Sequence, residues 1–367
     1  MNSRKFFAIA ASASALALGV AACGDSNDDS TSSAGSAPGG DLSGDIAGAG
    51  ASSQDAAQQA WIAGFQSANE GVNIAYDPVG SGGGREAFIA GGKTDFAGTD
   101  SPFADEELTG AQDRCKTAGG DFIQIPVYIS PIAVVYNLPD VENLQLSPET
   151  LAGIFAQDIT KWNDDAIAAD NPDASLPDTD IVPVNRSDDS GTTKNFTEYM
   201  ADTAPNVWTD EPDDAWPIDG GEAAEGTSGV VEAVGAGEGT IGYADASQAG
   251  DLGVAAVKIG DEYVAPSAEG ATASADAAKE TKDGDYVFSF DIDRTTDDPS
   301  QYPLILISSA AACTAYDDAG TADIVKGYLT YVISADGQAA AADNAGSAPI
   351  SSDLQQQVQP AIDAIGS

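Results

Sequence analysis

From about residue 42 onward, short apolar runs rich in Val and Ile alternate with apolar positions at helical spacing. Val72-Asn73-Ile74-Ala75-Tyr76 alternates with period two and predicts a strand, and Asp95-Phe96-Ala97-Gly98 a second. Ile123–Val127, Ile132–Tyr136, Ile181–Val184 and Leu304–Ile307 are β-branched or continuously apolar, the mark of strands buried on both faces. Between them lie helical patterns: Asp55–Phe65 with Ala57, Trp61 and Phe65, a short one over Gly84–Ala90, Lys194–Met200, and Ala322–Ile333. Ser147-Pro148-Glu149 opens another helix with a hydroxyl cap and Pro at the first helical position. The last pattern, Ser352–Ile365, is expected to kink or break at Pro360. Pro266–Pro299 reads as loop or short helix around one strand-like run, Tyr286–Phe290, and no internal repeat is visible. Such alternation predicts an α/β protein with mostly parallel sheets, long enough for two domains.

The start differs. Arg4 and Lys5 precede an Ala-rich apolar stretch, Phe6 to Val20, too short to span a bilayer comfortably. It ends Val20-Ala21-Ala22-Cys23, the pattern of a bacterial lipoprotein signal in which Cys23 is acylated. Residues 24–41 hold Ser, Asp, Gly and Ala with almost no large apolar side chains, and read as a flexible tether.

With Cys23 lipidated, Cys115 and Cys313 remain, and an exported protein with an even remainder is expected to pair them. That bridge would put the first third and the last fifth of the chain in one domain. The middle would then be an insertion, entered near Pro126-Val127-Tyr128 and left near Tyr302-Pro303. Two lobes joined by two strands form a cleft that can close on a ligand. The expected bodies are 42–127 with 305–367, and 128–304.

Charge narrows the ligand. The chain carries 59 acidic and 14 basic residues, a formal net charge of -45. Nucleic acid binding, which rests on clusters of Lys and Arg, is excluded. A small anion is not, because surface charge is screened beyond about 8 Å at physiological salt. The chain has no histidine, which removes His-based triads and dyads and the usual zinc and copper sites. No Asp-x-Asp-x-Asp-Gly calcium loop appears, so neither a metal nor a cofactor is expected.

Three turns offer an anion backbone N–H groups and hydroxyls at a helix start. They are Gly48-Ala49-Gly50-Ala51-Ser52-Ser53, Gly80-Ser81-Gly82-Gly83-Gly84, and Ser190-Gly191-Thr192. The third follows Arg186, whose planar fork suits two oxygens, with Asp188 two residues on to orient it. None ends Gly-Lys-Ser/Thr, so a nucleotide is not indicated.

Together these residues resemble the substrate-binding protein of the bacterial high-affinity phosphate ABC transporter. The resemblance rests on Gly48-Ala49-Gly50-Ala51-Ser52, Gly80–Gly84, Asp95–Pro102, Lys161-Trp162-Asn163-Asp164 with Asn171-Pro172, Ile241-Gly242-Tyr243, and above all Arg186-Ser187-Asp188-Asp189-Ser190-Gly191-Thr192. It implies a two-lobe periplasmic-binding-protein fold of type II, with two parallel-type sheets and phosphate held in the interlobe cleft. Ser52, the N–H of Ser53, Ser81 and Asp100 would bind from one lobe; Arg186, Ser190, the N–H of Gly191 and Thr192 from the other. Two positions depart from the family pattern. Ser53 stands where an aromatic or Leu is usual, and Asp189 where Gly is usual, putting a second carboxylate near the anion.

The function so implied is capture of inorganic phosphate outside the cytoplasm and delivery to an ABC permease. It would be done by a monomer held to the membrane by its lipid, without catalysis. The same scaffold could serve sulfate, arsenate or phosphite. A histidine-free phosphatase and a surface adhesion or sensing protein are the other readings.

Overall fold

The computed structural model describes residues 42–367 except 104 and 283. The expected signal with Cys23 and the tether 24–41 lie outside the described residues.

A nine-stranded mixed sheet runs through the molecule. On one wing, Ser43–Gly50 pairs in parallel with Gly71–Asp77 and with Phe96–Thr99. On the other, Val182–Arg186 pairs in parallel with Thr240–Asp245 and with Glu222–Ala224. Parallel pairing therefore holds within each wing, where helices make the crossovers. The two strands joining the wings run antiparallel to their neighbours. Ile305–Cys313 lies between Phe96–Thr99 and Phe122–Tyr136, and the last five residues of the latter pair with Thr240–Asp245.

The apolar runs around Val127 and Val134 are thus one strand of 15 residues, buried throughout. Proline normally breaks a ladder, since it brings no N–H. Here Pro126 sits where the register with Ile305–Cys313 shifts, between Ser308 and Ser309, so the strand tolerates it at a bulge. That irregularity falls where the sequence placed the crossing between lobes.

Cys115 and Cys313 form a disulfide, with Cα atoms 5.2 Å apart across 198 residues of chain. It ties the helix Asp105–Thr117 to the second joining strand. Each wing packs its own aromatics. Trp61, Phe65, Phe96 and Tyr328 fill one; Phe155, Phe196, Tyr243 and Trp208 fill the other. Burying each such ring contributes roughly 1.5–3 kcal/mol.

Two local expectations change. The helix Ser352–Asp363 is not broken at Pro360 but continues through it, with Val358, Ala361 and Ile362 buried on either side, so packing of the apolar face holds it. The segment after Pro266 forms a helix, Ala268–Ala277, and a hairpin of Lys279–Lys282 with Phe288–Asp291. The hairpin reaches the first wing. Gln124 donates its backbone N–H to the Tyr286 carbonyl at 2.9 Å and its side-chain amide to the Phe288 carbonyl at 2.8 Å.

Candidate anion site

All eight residues singled out from the sequence meet where the two wings face each other, and all are buried. Six arrive at helix starts, while Asp100 and Arg186 arrive at strand ends. Ser52 and Ser53 form a 3-10 turn leading into the helix Asp55–Ala68. Ser81 begins the helix Ser81–Ala90, and Ser190 caps Gly191–Thr203 by accepting the Thr193 N–H at 3.2 Å. Two glycines permit the approach. A Cβ on Gly80 would lie 2.3 Å from Asp188 Oδ2, and one on Gly191 would lie 2.7 Å from Asp100 Cβ.

Asp100 ends its strand with both carboxylate oxygens among hydroxyls. Ser53 Oγ donates to them at 2.7 and 2.8 Å, Ser308 Oγ at 2.6 Å and Thr192 Oγ1 at 3.1 Å. A carboxylate offers about four acceptor positions, and three hydroxyls take three of them. Burial pushes the Asp100 carboxyl above its usual range, while the bonds from Ser308, Ser53 and Thr192 and the charge of Arg186 pull it back.

The hydroxyls are not equivalent. Ser81 Oγ accepts the Asp100 N–H at 3.1 Å, and Ser190 Oγ accepts from Thr193. Each keeps its own proton to give to an anion. Thr192 and Ser53 have committed theirs to Asp100, so toward an anion they offer backbone N–H groups.

Arg186 is held by Asp188, which accepts from Nε at 2.8 Å and from Nη2. Nη1 has no protein partner among the described residues. Burial would raise the Asp188 carboxyl, but the bonds and charge of Arg186 and the Gly226 N–H hold it below its ordinary value. Tyr243 sits beneath, accepting the Arg186 N–H at 3.3 Å and bonding Thr193 Oγ1 at 2.7 Å. Arg186 and Asp188 cancel, so with Asp100 the cradle is net negative. Any anion held here is held by N–H dipoles, hydroxyls and one guanidinium edge rather than by excess positive charge.

Asp189, flagged as a second carboxylate, is exposed. Its backbone carbonyl accepts the Gly82 N–H at 3.0 Å, and its side chain also lies over that turn, since a Cβ on Gly82 would come 2.5 Å from Asp189 Cβ.

Among known proteins, a model of the PBP superfamily domain matches residues 32–336. Phosphate-binding protein PstS 3 of Mycobacterium tuberculosis (strain ATCC 25618 / H37Rv) is 33% identical over 377 residues, covering 100% of each chain. The chain belongs to the PstS family of the PBP superfamily. PstS 3 of Mycobacterium leprae is 32% identical over 326 residues, covering 86% of this chain and 85% of that one. The fold agrees with a solved high-affinity periplasmic phosphate-binding protein, PfluDING, bound with phosphate, at a TM-score of 0.71 and 24% identity, covering 86% of this chain and 93% of that one.

In this PstS-family chain the sequence left several site neighbours unnamed. The helix Gly226–Ala236 adds a fourth start, but protein acceptors occupy it: the Gly226 N–H goes to Asp188 and the Thr227 N–H to Ser52 Oγ at 3.1 Å. Ser308 comes from the second joining strand. Asn195 donates to the carbonyls of Asp100 and Gly191, and its own carbonyl accepts from the buried Arg294. Arg294 in turn donates to the Pro303 and Ile305 carbonyls, fixing the site helix to the second joining strand. No sequence signal pointed to these residues, because Asn195, Arg294, Thr227 and Ser308 reach their partners across 95 residues or more and Gly226 across 38. A void bordering Asp100, lined by Gln124, Lys194, Glu198 and Phe288, touches neither Arg186 nor Ser81 and is not the space between the eight residues. Among the described residues no group of His, Cys, Asp and Glu could hold a metal, and no helix is long and apolar enough to cross a membrane.

Proposed function

We propose that this chain is an extracytoplasmic phosphate receptor that captures inorganic phosphate between its lobes and presents it to an ABC permease. Ser52, Ser53, Ser81 and Asp100 hold the anion from one lobe, and Arg186, Ser190, Gly191 and Thr192 from the other, with Asp188 orienting Arg186. The moving bodies are 42–127 with 305–367, and 128–304. Cys23 carries the lipid that keeps the monomer at the membrane, and the protein performs no catalysis. The names of its relatives support phosphate as the ligand.

The observation that carries the reading is Asp100, a buried carboxylate with one acceptor position to spare, across from the unpaired Nη1 of Arg186. Phosphate near neutral pH carries at least one P–OH, which an ionised Asp100 accepts. Sulfate carries none, so its oxygen would face the carboxylate with a bond unmade and like charges buried. The lost bond is worth about 2–5 kcal/mol. The test is calorimetric titration of residues 24–367, stripped of bound anion by unfolding and dialysis. Phosphate is expected to bind one to one, sulfate hardly at all, and Asp100→Asn to narrow the gap. Silence toward phosphate, or an unchanged ratio in the variant, would refute the ligand or the role of Asp100 respectively.

A further inference from the structure

The Asp100 carboxylate meets two serine hydroxyls that have no other described acceptor as close. Ser53 Oγ lies 2.7 and 2.8 Å from its two oxygens, and Ser308 Oγ lies 2.6 Å from one. Both serines are fully buried. Gln54 Nε2 donates to Ser308 Oγ at 2.6 Å, which fills an acceptor lobe of that hydroxyl and turns its proton toward Asp100 or the Thr99 carbonyl. Gln54 is itself placed by Gln58, whose amide it accepts at 2.9 Å. Ser53 therefore contributes more than a main-chain N–H. Its side chain is aimed at the carboxylate, at a position where a Phe or Leu would bring no donor.

We propose that the hydroxyls of Ser53 and Ser308 set the oxyanion selectivity of this chain by holding Asp100 in its ionised, accept-only form. A hydroxyl that donates to a carboxylate favours the charged state, and a protonated Asp100 would become a donor able to satisfy a sulfate oxygen. The inference rests on the phosphate reading above for its consequence, though not for its geometry. Other groups facing Asp100 are common to any variant at these serines: Arg186 from Val182–Arg186, Asp245 at the end of Thr240–Asp245, and Tyr76 on Gly71–Asp77. Burial already pushes the Asp100 carboxyl upward, and the serine bonds oppose that. Losing them raises it further, so the proton arrives at a higher pH.

The experiment compares wild type with Ser53→Ala and, separately, Ser308→Ala. Sulfate and phosphate binding are measured between pH 5 and 8, and the Asp100 carboxyl is titrated by carbon NMR in anion-free protein, assigned by its absence from Asp100→Asn. Each variant is expected to shift the NMR titration upward. At the acid end each is expected to lose about tenfold of the phosphate preference, the size of one hydrogen bond to a charged group. At pH 8 wild-type selectivity is retained. If both carboxyl titrations stay in place, or if affinity falls equally at every pH with the anion ratio constant, the serines merely pack and the inference is overturned. If the titrations shift while wild type ignores phosphate, the clamp on Asp100 stands and the ligand assignment fails instead.

Discussion

Arg186 and Arg85 face the cleft from opposite wings, and both are buried, at 3% and 5% exposure. Burial and charge do not separate them; their bonds do. Arg85 spends its guanidinium inside the protein. Nε goes to Glu107 at 2.9 Å, Nη1 to Ser101 at 2.7 Å and Thr99 at 3.2 Å, and Nη2 to Asp214 at 2.5 Å. Arg186 gives both of its bonds to one residue, Asp188, and leaves Nη1 over. A buried cation with all three nitrogens bonded inside the protein is a structural tie. One held from a single side by an orienting carboxylate keeps an edge for a ligand. The distinction also explains why so acidic a chain can host an anion, since the spare donors are local and face inward.

The severest test of this contrast is Arg186→Ala. It removes the one guanidinium edge available to the ligand and leaves the half-buried Asp188 with the Gly226 N–H but without its cation. A cost of about 3–5 kcal/mol is expected, and phosphate binding should fall below detection in calorimetry. Binding within tenfold of wild type would mean that the N–H dipoles alone suffice and that Arg186 is as structural as Arg85.

Next in size is an effect that should spare the site altogether. Replacing Cys115 and Cys313 by Ser is expected to lower unfolding stability by about 2–5 kcal/mol in denaturant titration. The bridge lies in the first wing's second core, beside Phe88, Phe103 and Phe122, away from the facing turns. Phosphate affinity in the folded variant should match wild type. A matched loss of affinity would show that the joining strand Ile305–Cys313 transmits disturbance from the bridge to Ser308.

The sequence was most legible where chemistry is local. The three turns and Arg186 with Asp188 could be read because caps, glycines and spacing act within a few residues; the cysteine pair, 198 residues apart, was read from the even count left after Cys23. The wings could be read from hydrophobic period. What escaped depends on distant packing. The continuous strand Phe122–Tyr136 needed its partners to show that Pro126 sits at a bulge. Ser308 looks like any serine in an apolar run until the sheet sets it beside Asp100. Arg85 lay within a segment already read as a helix, but its saturation could not be read, because Asp214 is 129 residues away in an irregular loop.

Asp214 supplies the finest test. It accepts from Arg85 and, at 2.9 and 3.1 Å, from Ser101 Oγ, while its backbone carbonyl accepts the Ser190 N–H at 2.9 Å. Its loop is anchored beneath the site, where Trp216 stacks on Tyr243 with ring centroids 5.8 Å apart. One residue thus links the Arg85 tie, the cap of the anion turn and the aromatic stack under Arg186. In Asp214→Asn the amide keeps one acceptor oxygen but loses the charge. Arg85 retains Glu107, so the fold should survive with a small fall in melting temperature. The closed arrangement should lose about 1–2 kcal/mol, and phosphate should leave roughly five- to thirtyfold faster in stopped-flow exchange. Association should change little, and the preference for phosphate over sulfate should hold, because Asp100 and its hydroxyls are untouched. A collapse of selectivity would move Arg85 out of the structural class and into the site. Unchanged release would show that the Arg85–Asp214 tie between the two bodies does not hold them closed.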